Sequence, residues 1–390
     1  MVHLLIDGTP VVRNPKGVGR YAYHTCLQLF ARLPEDWSIQ IMATPQAPGL
    51  FAANCRASFS LTPEGSEIKR ALWGVPNQLR RLRPQIFLKT DETSARLIGI
   101  PTVTVCHDVD VLIHQAQGVY RSALRRRIDS FVQFLRRQTL RASDCVVCNS
   151  EYIREAVHTH YGVAREKTAV GYCAVDPGFY EFSQLTDRAA VCQRYGVTGY
   201  VLAFATGDPR ENFILYPALA ARLRELGIET CLVVGGIRDY RPPYKDQLRA
   251  DFLALGLVEG RHFIFENFLG SARFRDLVDL YTAADLYVDL SSHEGFGMQL
   301  VEAMACGTTC ISSRGGAYEE VGDKYVLFVD PTNVNEIALR IKAAYENGLH
   351  QAKNCDQVQY TYRFSWDEAG RVIAEALQEV ASRRLSAAVS

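Results

Sequence analysis

The chain has 390 residues, 48% of them hydrophobic and 22% charged, with a formal net charge of +0; it is long enough for two domains of ordinary size, and its composition excludes a disordered or fibrous protein. Its charge is unevenly placed: Lys and Arg outnumber Asp and Glu by 22 to 15 over residues 1–180 and are outnumbered 21 to 28 over the rest. That asymmetry points either to an anionic partner of the first half or to two solvated surfaces of different make-up.

The opening MVHLLIDGTP has no basic leader, and Asp7 interrupts its short apolar run, so it does not read as a signal peptide. No apolar run approaches the ~18–20 residues of a membrane span. Eleven cysteines follow no repeated framework, which fits a reduced, cytoplasmic setting. HLLID predicts a strand and GRYAYHTCLQLFARL a helix; SIQIMA, QIFLK, TVTVC and DCVVCN follow as strands. The series restarts with YVLAFA, ETCLVVGG, HFIFEN, DLYVDLSS, TTCISS and YVLFVD, separated by helical stretches such as NFILYPALAARLREL and VNEIALRIKAAYENG. Short buried strands between helices imply parallel sheets covered on both faces. The expected fold class is α/β, with two Rossmann-like doubly wound domains facing a central cleft. The expected boundaries are 1–178, 179–368 and a closing helix over 369–390 that crosses back to the first domain. Pro177 and Gly178 break regular structure at the joint.

In such sheets ligands gather at the carboxyl ends of strands. Gly17 and Gly19 follow the first strand, in NPKGVGRYAYH, where they either let the backbone approach a ligand or simply make a turn. Ala22 replaces the third glycine of a dinucleotide fingerprint, which disfavours an oxidoreductase. His107 closes TVTVC and is followed by Asp108-Val109-Asp110, formally a metal-binding D-x-D. Between Arg121 and Arg141 stand seven arginines, with Ile128, Phe131, Val132 and Leu135 at helical spacing. This segment reads as a helix packing on its sheet or as a basic amphipathic helix for an anionic membrane surface. Nucleic acid is disfavoured, because no aromatic-interleaved basic module accompanies it. Cys145 and Cys148 form a CxxC inside a strand, pointing to opposite faces with no second pair to complete a zinc site. In SSHEGFGMQLVE, Glu294 lies in a turn and Glu302 about one helical turn into the helix that follows, with Gly295 and Gly297 baring backbone N–H groups between them.

EGFGMQLVE resembles the E-x7-E signature of the retaining glycosyltransferases of family 4, which have the GT-B fold, and the likeness continues through EAMACGTTCISSRGGAYEEVGD. The resemblance implies that Glu294 holds hydroxyls of a donor sugar, that Glu302 holds the nucleotide ribose, and that the backbone of Gly295, Phe296, Gly297 and Met298 faces the sugar and diphosphate. It places Gly17 and Gly19 near the donor diphosphate or the acceptor, and His107 at the donor sugar or acceptor hydroxyl, with Asp108 as its orienter. Asn267 and Leu269, within 267–271, would line the nucleobase pocket. The family usually shows Arg-Lys where this chain has Arg210-Glu211. Near a diphosphate, Glu211 would turn attraction into repulsion of about a few kcal/mol, leaving Arg210, or Arg238, as the phosphate ligand. The implied activity is metal-independent, cofactor-free, retaining transfer of a hexose from a GDP- or UDP-linked donor to a hydroxyl acceptor. Polysaccharide, lipopolysaccharide or other glycoconjugate assembly is the implied setting, with a lipid-linked glycan as one acceptor and a cytoplasmic enzyme that also sits peripherally at the inner membrane face. A catalytically silent GT-B scaffold, tailoring of a small metabolite, and a sugar phosphorylase or nucleotide-sugar epimerase stand as alternatives.

Overall fold

Strands of three to six residues, most of them rich in apolar side chains, form two sheets in which every pairing is parallel. The computed structural model describes residues 2–13, 17–45, 47–51, 56–62, 67–95, 97–109, 123–236, 242–266, 274–351 and 353–389. The chain divides into one unit of Met1–Ala174 with Phe364–Ser390 and a second of Val175–Arg363.

The first unit holds β1 (His3–Asp7), β2 (Ser38–Ala43), β3 (Ser58–Leu61), β4 (Ile86–Lys89), β5 (Thr102–Cys106), β6 (Cys145–Cys148) and β7 (Thr168–Val170), in the order β3-β2-β1-β4-β5-β6-β7. β4 and β5 are buried along their whole length, as strands covered on both faces must be. Leu5, Met42, Val75, Leu79 and Phe87 pack one face, where the left-handed Arg83 ends the helix that carries Val75 and Leu79. Helix α1 (Gly17–Arg32) and the last helix, here α5 (Trp366–Val389), belong to this unit, and His24 stacks on Trp366 with ring centroids 4.4 Å apart.

Helix α2 (Ala123–Ala142) runs over the basic segment, and its inward and outward sides do not divide into apolar and polar. The side chains it turns inward are Gln133, Arg136, Thr139 and Leu140, whereas Ile128, Phe131 and Phe134 are 39%, 44% and 55% exposed. Its attachment is polar accordingly. Thr139 Oγ1 accepts from the Ala95 N–H at 2.9 Å and Ser94 Oγ donates to the Val132 carbonyl at 3.2 Å. The apolar spacing read from the sequence does not mark the packed side.

The second unit holds β8 (Tyr200–Phe204), β9 (Cys231–Gly235), β10 (Phe263–Glu266), β11 (Leu286–Asp289), β12 (Thr309–Ser312) and β13 (Val326–Phe328), in the order β10-β9-β8-β11-β12-β13. Val201, Ala203, Leu219, Phe252, Val288 and Ile311 belong to its core. Strand order reverses between β8 and β11, so the loops leaving those neighbours diverge and open a crevice at their carboxyl ends. One loop leads to α3 (Tyr216–Glu225), the other to α4 (Met298–Ala305).

The loop after β12 braces the turn after β11, backbone against backbone. A Cβ on Gly315 would fall 1.7 Å from the Ser292 carbonyl oxygen, and the Ala317 N–H donates to the Glu294 carbonyl at 2.9 Å. Gly315→Ala is expected to cost about 2 kcal/mol or more, lowering the Tm of this unit by roughly 4–8 °C. Scanning calorimetry checks it; an unchanged Tm would show that the loop does not brace the turn.

Candidate active site

The turn after β11 is built by its own polar groups. Asp289 ends the strand, and its carboxylate accepts from the Tyr287 hydroxyl at 3.0 Å and the Ser291 N–H at 3.1 Å. Gly297 then starts α4 at φ +85°, in the left-handed region, and a Cβ there would lie 2.6 Å from the Tyr318 ring. Glycine is therefore required twice over, by conformation and by space. Gly297 has no side chain with which to cap α4, so the helix opens with its positive end uncapped by its own N-cap residue. Glu294 stands before that end with its side chain 23% exposed. Glu302 lies in the second turn of α4, is nearly buried, and accepts from the Tyr281 hydroxyl at 3.2 Å. Burial pushes Tyr281 up, and the charge of Glu302 pushes it further, so it stays a hydrogen-bond donor. Gly295 and Phe296 are buried and Met298 is half-buried.

The loop after β8 meets this turn at the switch point. The Ser292 N–H donates to the Arg210 carbonyl at 2.7 Å, and the Asn212 amide donates to the Leu290 carbonyl at 2.8 Å. The guanidinium of Arg210 consequently lies 3.6 Å from Glu294 Oε1 and 3.7 Å from Asp208 Oδ2, only 17% exposed. Glu211 does not face the same way. Its carboxylate folds back on its own loop, accepting from the Thr206 N–H and the Thr206 hydroxyl at 2.6 Å each and from the Asp208 N–H at 3.3 Å, while Asp208 accepts in return from the Arg210 N–H at 3.1 Å. This is a capping box around the turn Pro209–Glu211. Burial pushes the Glu211 carboxyl up, and the Thr206 hydrogen bonds oppose that rise. The carboxylate that stands in place of the family's lysine is thus held by its own loop.

In the first unit His107 sits just past β5, buried. Its Nε2 lies 2.9 Å from the Thr90 carbonyl, so Nε2 carries the proton in the neutral ring and Nδ1 keeps the lone pair. The His107 N–H donates to Glu92 at 3.0 Å, and the edge of Tyr21 packs the ring at 4.8 Å. Thr90 and Glu92 are themselves fixed, because the loop after β4 is pinned by Lys89, whose ammonium donates to the Asp91 carbonyl at 3.0 Å, to Thr93 at 2.8 Å and to the Asp91 carboxylate. Burial would push Asp91 up; Lys89 holds it down instead. Arg136 of α2 lies 4.0 Å from Glu92, both largely buried.

Gly17 and Gly19 open helix α1 rather than forming a free loop. Asn267, Leu269, Asp110, Arg121 and Arg238 lie outside the described residues. Of the expected site residues, Arg210, Glu294, Gly295, Phe296, Gly297, Met298 and Glu302 come together at one strand-end crevice of the second unit, and His107 stands at strand ends of the first. Sequence reasoning missed Glu92, Thr90 and Asp208, and assigned no role to Tyr281. A strand followed by a run of polar residues, as in LKTDETS, is the signal that would have flagged the first two.

Residues 15–179 match the model for Glycosyltransferase Family 4, and residues 199–362 that for glycosyl transferases group 1. Mannosylfructose-phosphate synthase of Agrobacterium fabrum is 29% identical over 236 residues, covering 55% of this chain and 50% of that protein. O-antigen chain mannosyltransferase B of Escherichia coli is 30% identical over 190 residues, covering 45% of each. The chain thus spans half or less of the length of these two relatives. Among solved structures, Anabaena Alr3699/HepE, in complex with UDP and glucose, superposes with a TM-score of 0.69 at 17% identity, over 97% of this chain and 100% of that one. WaaG, a glycosyltransferase involved in lipopolysaccharide biosynthesis, gives 0.69 at 17% identity, over 96% and 99%. With each of its two units matched by a family model, the chain belongs to the family 4 glycosyltransferases and has their GT-B fold.

Proposed function

We propose that this protein is a retaining hexosyltransferase that takes a hexose from a GDP- or UDP-linked donor without a metal ion and passes it to a hydroxyl of a growing glycan. The observation that carries the reading is the start of α4, uncapped by Gly297 and flanked by Glu294 before it and Glu302 within it. An uncapped helix start suits a diphosphate, and a carboxylate suits a pair of sugar hydroxyls. Glu302 takes the ribose, Glu294 the hydroxyls of the transferred sugar, and Arg210 the diphosphate. As the bond from C1 to the phosphate oxygen breaks, its electron pair goes to the diphosphate, where the helix N–H groups and Arg210 offset the new charge. The acceptor hydroxyl, assigned to the strand ends near His107 and the Gly17–Gly19 start of α1, attacks C1 from the same face and gives its proton to the departing phosphate. The products are a glycoside of retained configuration and a nucleoside diphosphate. HepE was solved with UDP and glucose, and the mannosyltransferase names of several relatives favour a hexose and a glycan acceptor. The inward turn of Glu211, bonded to Thr206, supports an active enzyme over a silent scaffold.

Incubation with GDP- and UDP-hexoses and a lipid-linked glycan acceptor tests the reading. Glu294→Ala is expected to lower turnover by at least about a hundredfold with Tm unchanged, and Glu302→Gln to raise the KM for donor more than it lowers kcat. Near-normal turnover by Glu294→Ala would end the assignment.

The partner surface we assign to the outward side of α2 is an anionic membrane. Arg126 and Arg127 are exposed beside Ile128, Phe131 and Phe134. Each basic residue near an anionic surface contributes about 1 kcal/mol, and each large apolar side chain, if fully buried, about 1.5–3 kcal/mol. The wild type is expected to sediment with vesicles of phosphatidylcholine and phosphatidylglycerol but not with phosphatidylcholine alone. Phe131→Ser/Phe134→Ser should abolish that sedimentation while sparing transfer to a soluble acceptor; equal sedimentation of wild type and variant would refute the assignment.

A further inference from the structure

Glu211 stands where the family resemblance expects the lysine that neutralises the donor diphosphate, and its geometry gives it different work. Its two oxygens receive three donors from residues 206–208, closing the loop after β8 on itself. The same closed turn presents the Arg210 carbonyl to Ser292 and the Asn212 amide to Leu290, so the loop is fastened inside by Glu211 and outside to the turn that carries Glu294. Asn212 adopts φ +49°, the left-handed region that asparagine enters more readily than most residues other than glycine. Adjacent residues of so tight a turn point different ways: with Glu211 turned in, Arg210 is turned toward Glu294.

We propose that Glu211 is a positioning residue, whose carboxylate closes the loop after β8 so that Arg210 stands beside Glu294 and meets the donor diphosphate. The inference rests on the donor reading above. It has an unexpected consequence for the lysine itself. A lysine at 211 has no acceptor to offer the Thr206 and Asp208 N–H groups, which Glu211 now satisfies. Restoring the family's residue should therefore impair this protein rather than improve it. Alanine leaves the same N–H groups without their partner, and glutamine keeps one acceptor oxygen, so the order of function is Glu, Gln, Ala, Lys.

A double-mutant cycle on the full chain tests this, read by calorimetric titration with GDP and UDP and by turnover with GDP-mannose and UDP-glucose. Arg210→Ala and Glu211→Ala are each expected to weaken nucleoside diphosphate binding by about tenfold or more, the scale of one hydrogen bond to a charged group. If Glu211 acts through Arg210, Arg210→Ala/Glu211→Ala should bind within about twofold of Arg210→Ala alone. A merely structural glutamate would not give that non-additivity. Glu211→Gln serves the same cycle if Glu211→Ala does not fold. Penalties that multiply, an indifferent Glu211→Ala, or a Glu211→Lys that binds as tightly as the wild type would each overturn the positioning role and leave the donor reading standing. A wild type that binds neither GDP nor UDP would overturn both.

Discussion

The hydrogen bond from the Ser292 N–H to the Arg210 carbonyl joins the two loops that leave the switch point of the second sheet. β8 and β11 are neighbours there, but their connections depart to different helices, α3 and α4, and nothing in sheet geometry alone keeps the loops in contact. The Asn212 amide repeats the tie on the Leu290 carbonyl. Because both ties use main-chain carbonyls, they hold the backbone and leave the Arg210 and Glu294 side chains facing the crevice, 3.6 Å apart. The rest of the candidate site is arranged around that join.

The charges at the join explain why the turn needs so much scaffolding. Arg210 has two carboxylates near it, Asp208 and Glu294, and a diphosphate brought into that group would meet two like charges and one cation. A positive helix end, worth about half an elementary charge, offsets part of that excess, which places weight on the start of α4. Gly297 puts no side chain of its own at that end, and Gly315 lets a second loop brace it from behind. Glu211 would have made the balance worse had it faced outward. Its bonds to Thr206 and Asp208 instead hold that carboxylate against its own loop, where its charge still acts on Asp208 and Arg210.

The parallel-sheet architecture was legible because buried strands between helices tend to be continuously apolar, as CVVC and YVLAFA are. β3 and β7 were not: SFSL alternates polar and apolar residues, and TAV is only half-buried at the sheet edge, so neither gives an apolar run. At the site, Glu294 and Glu302 were legible from spacing, since eight residues across a strand–turn–helix fix which end of the sheet they share. Glu211 was misjudged because sequence gives a residue's charge but not its direction. One χ1 choice separates a carboxylate facing a diphosphate from one facing its own loop. Glu92 and Thr90 escaped for a related reason: their partner is His107, whose strand becomes a neighbour only when the sheet forms.

The same limit applies to α2, where helical periodicity identified an apolar stripe but not the side to which it turns. What fixes the side is polar. Thr139 exchanges hydrogen bonds with the backbone of Ala95, and Arg136 reaches Glu92, leaving Ile128, Phe131 and Phe134 no room inward. A helix held by satisfied polar contacts tolerates an apolar outer face, because its attachment does not depend on burying that face. The Glu92 that receives Arg136 also receives the His107 N–H, so the outer helix and the strand end assigned to the acceptor share one carboxylate.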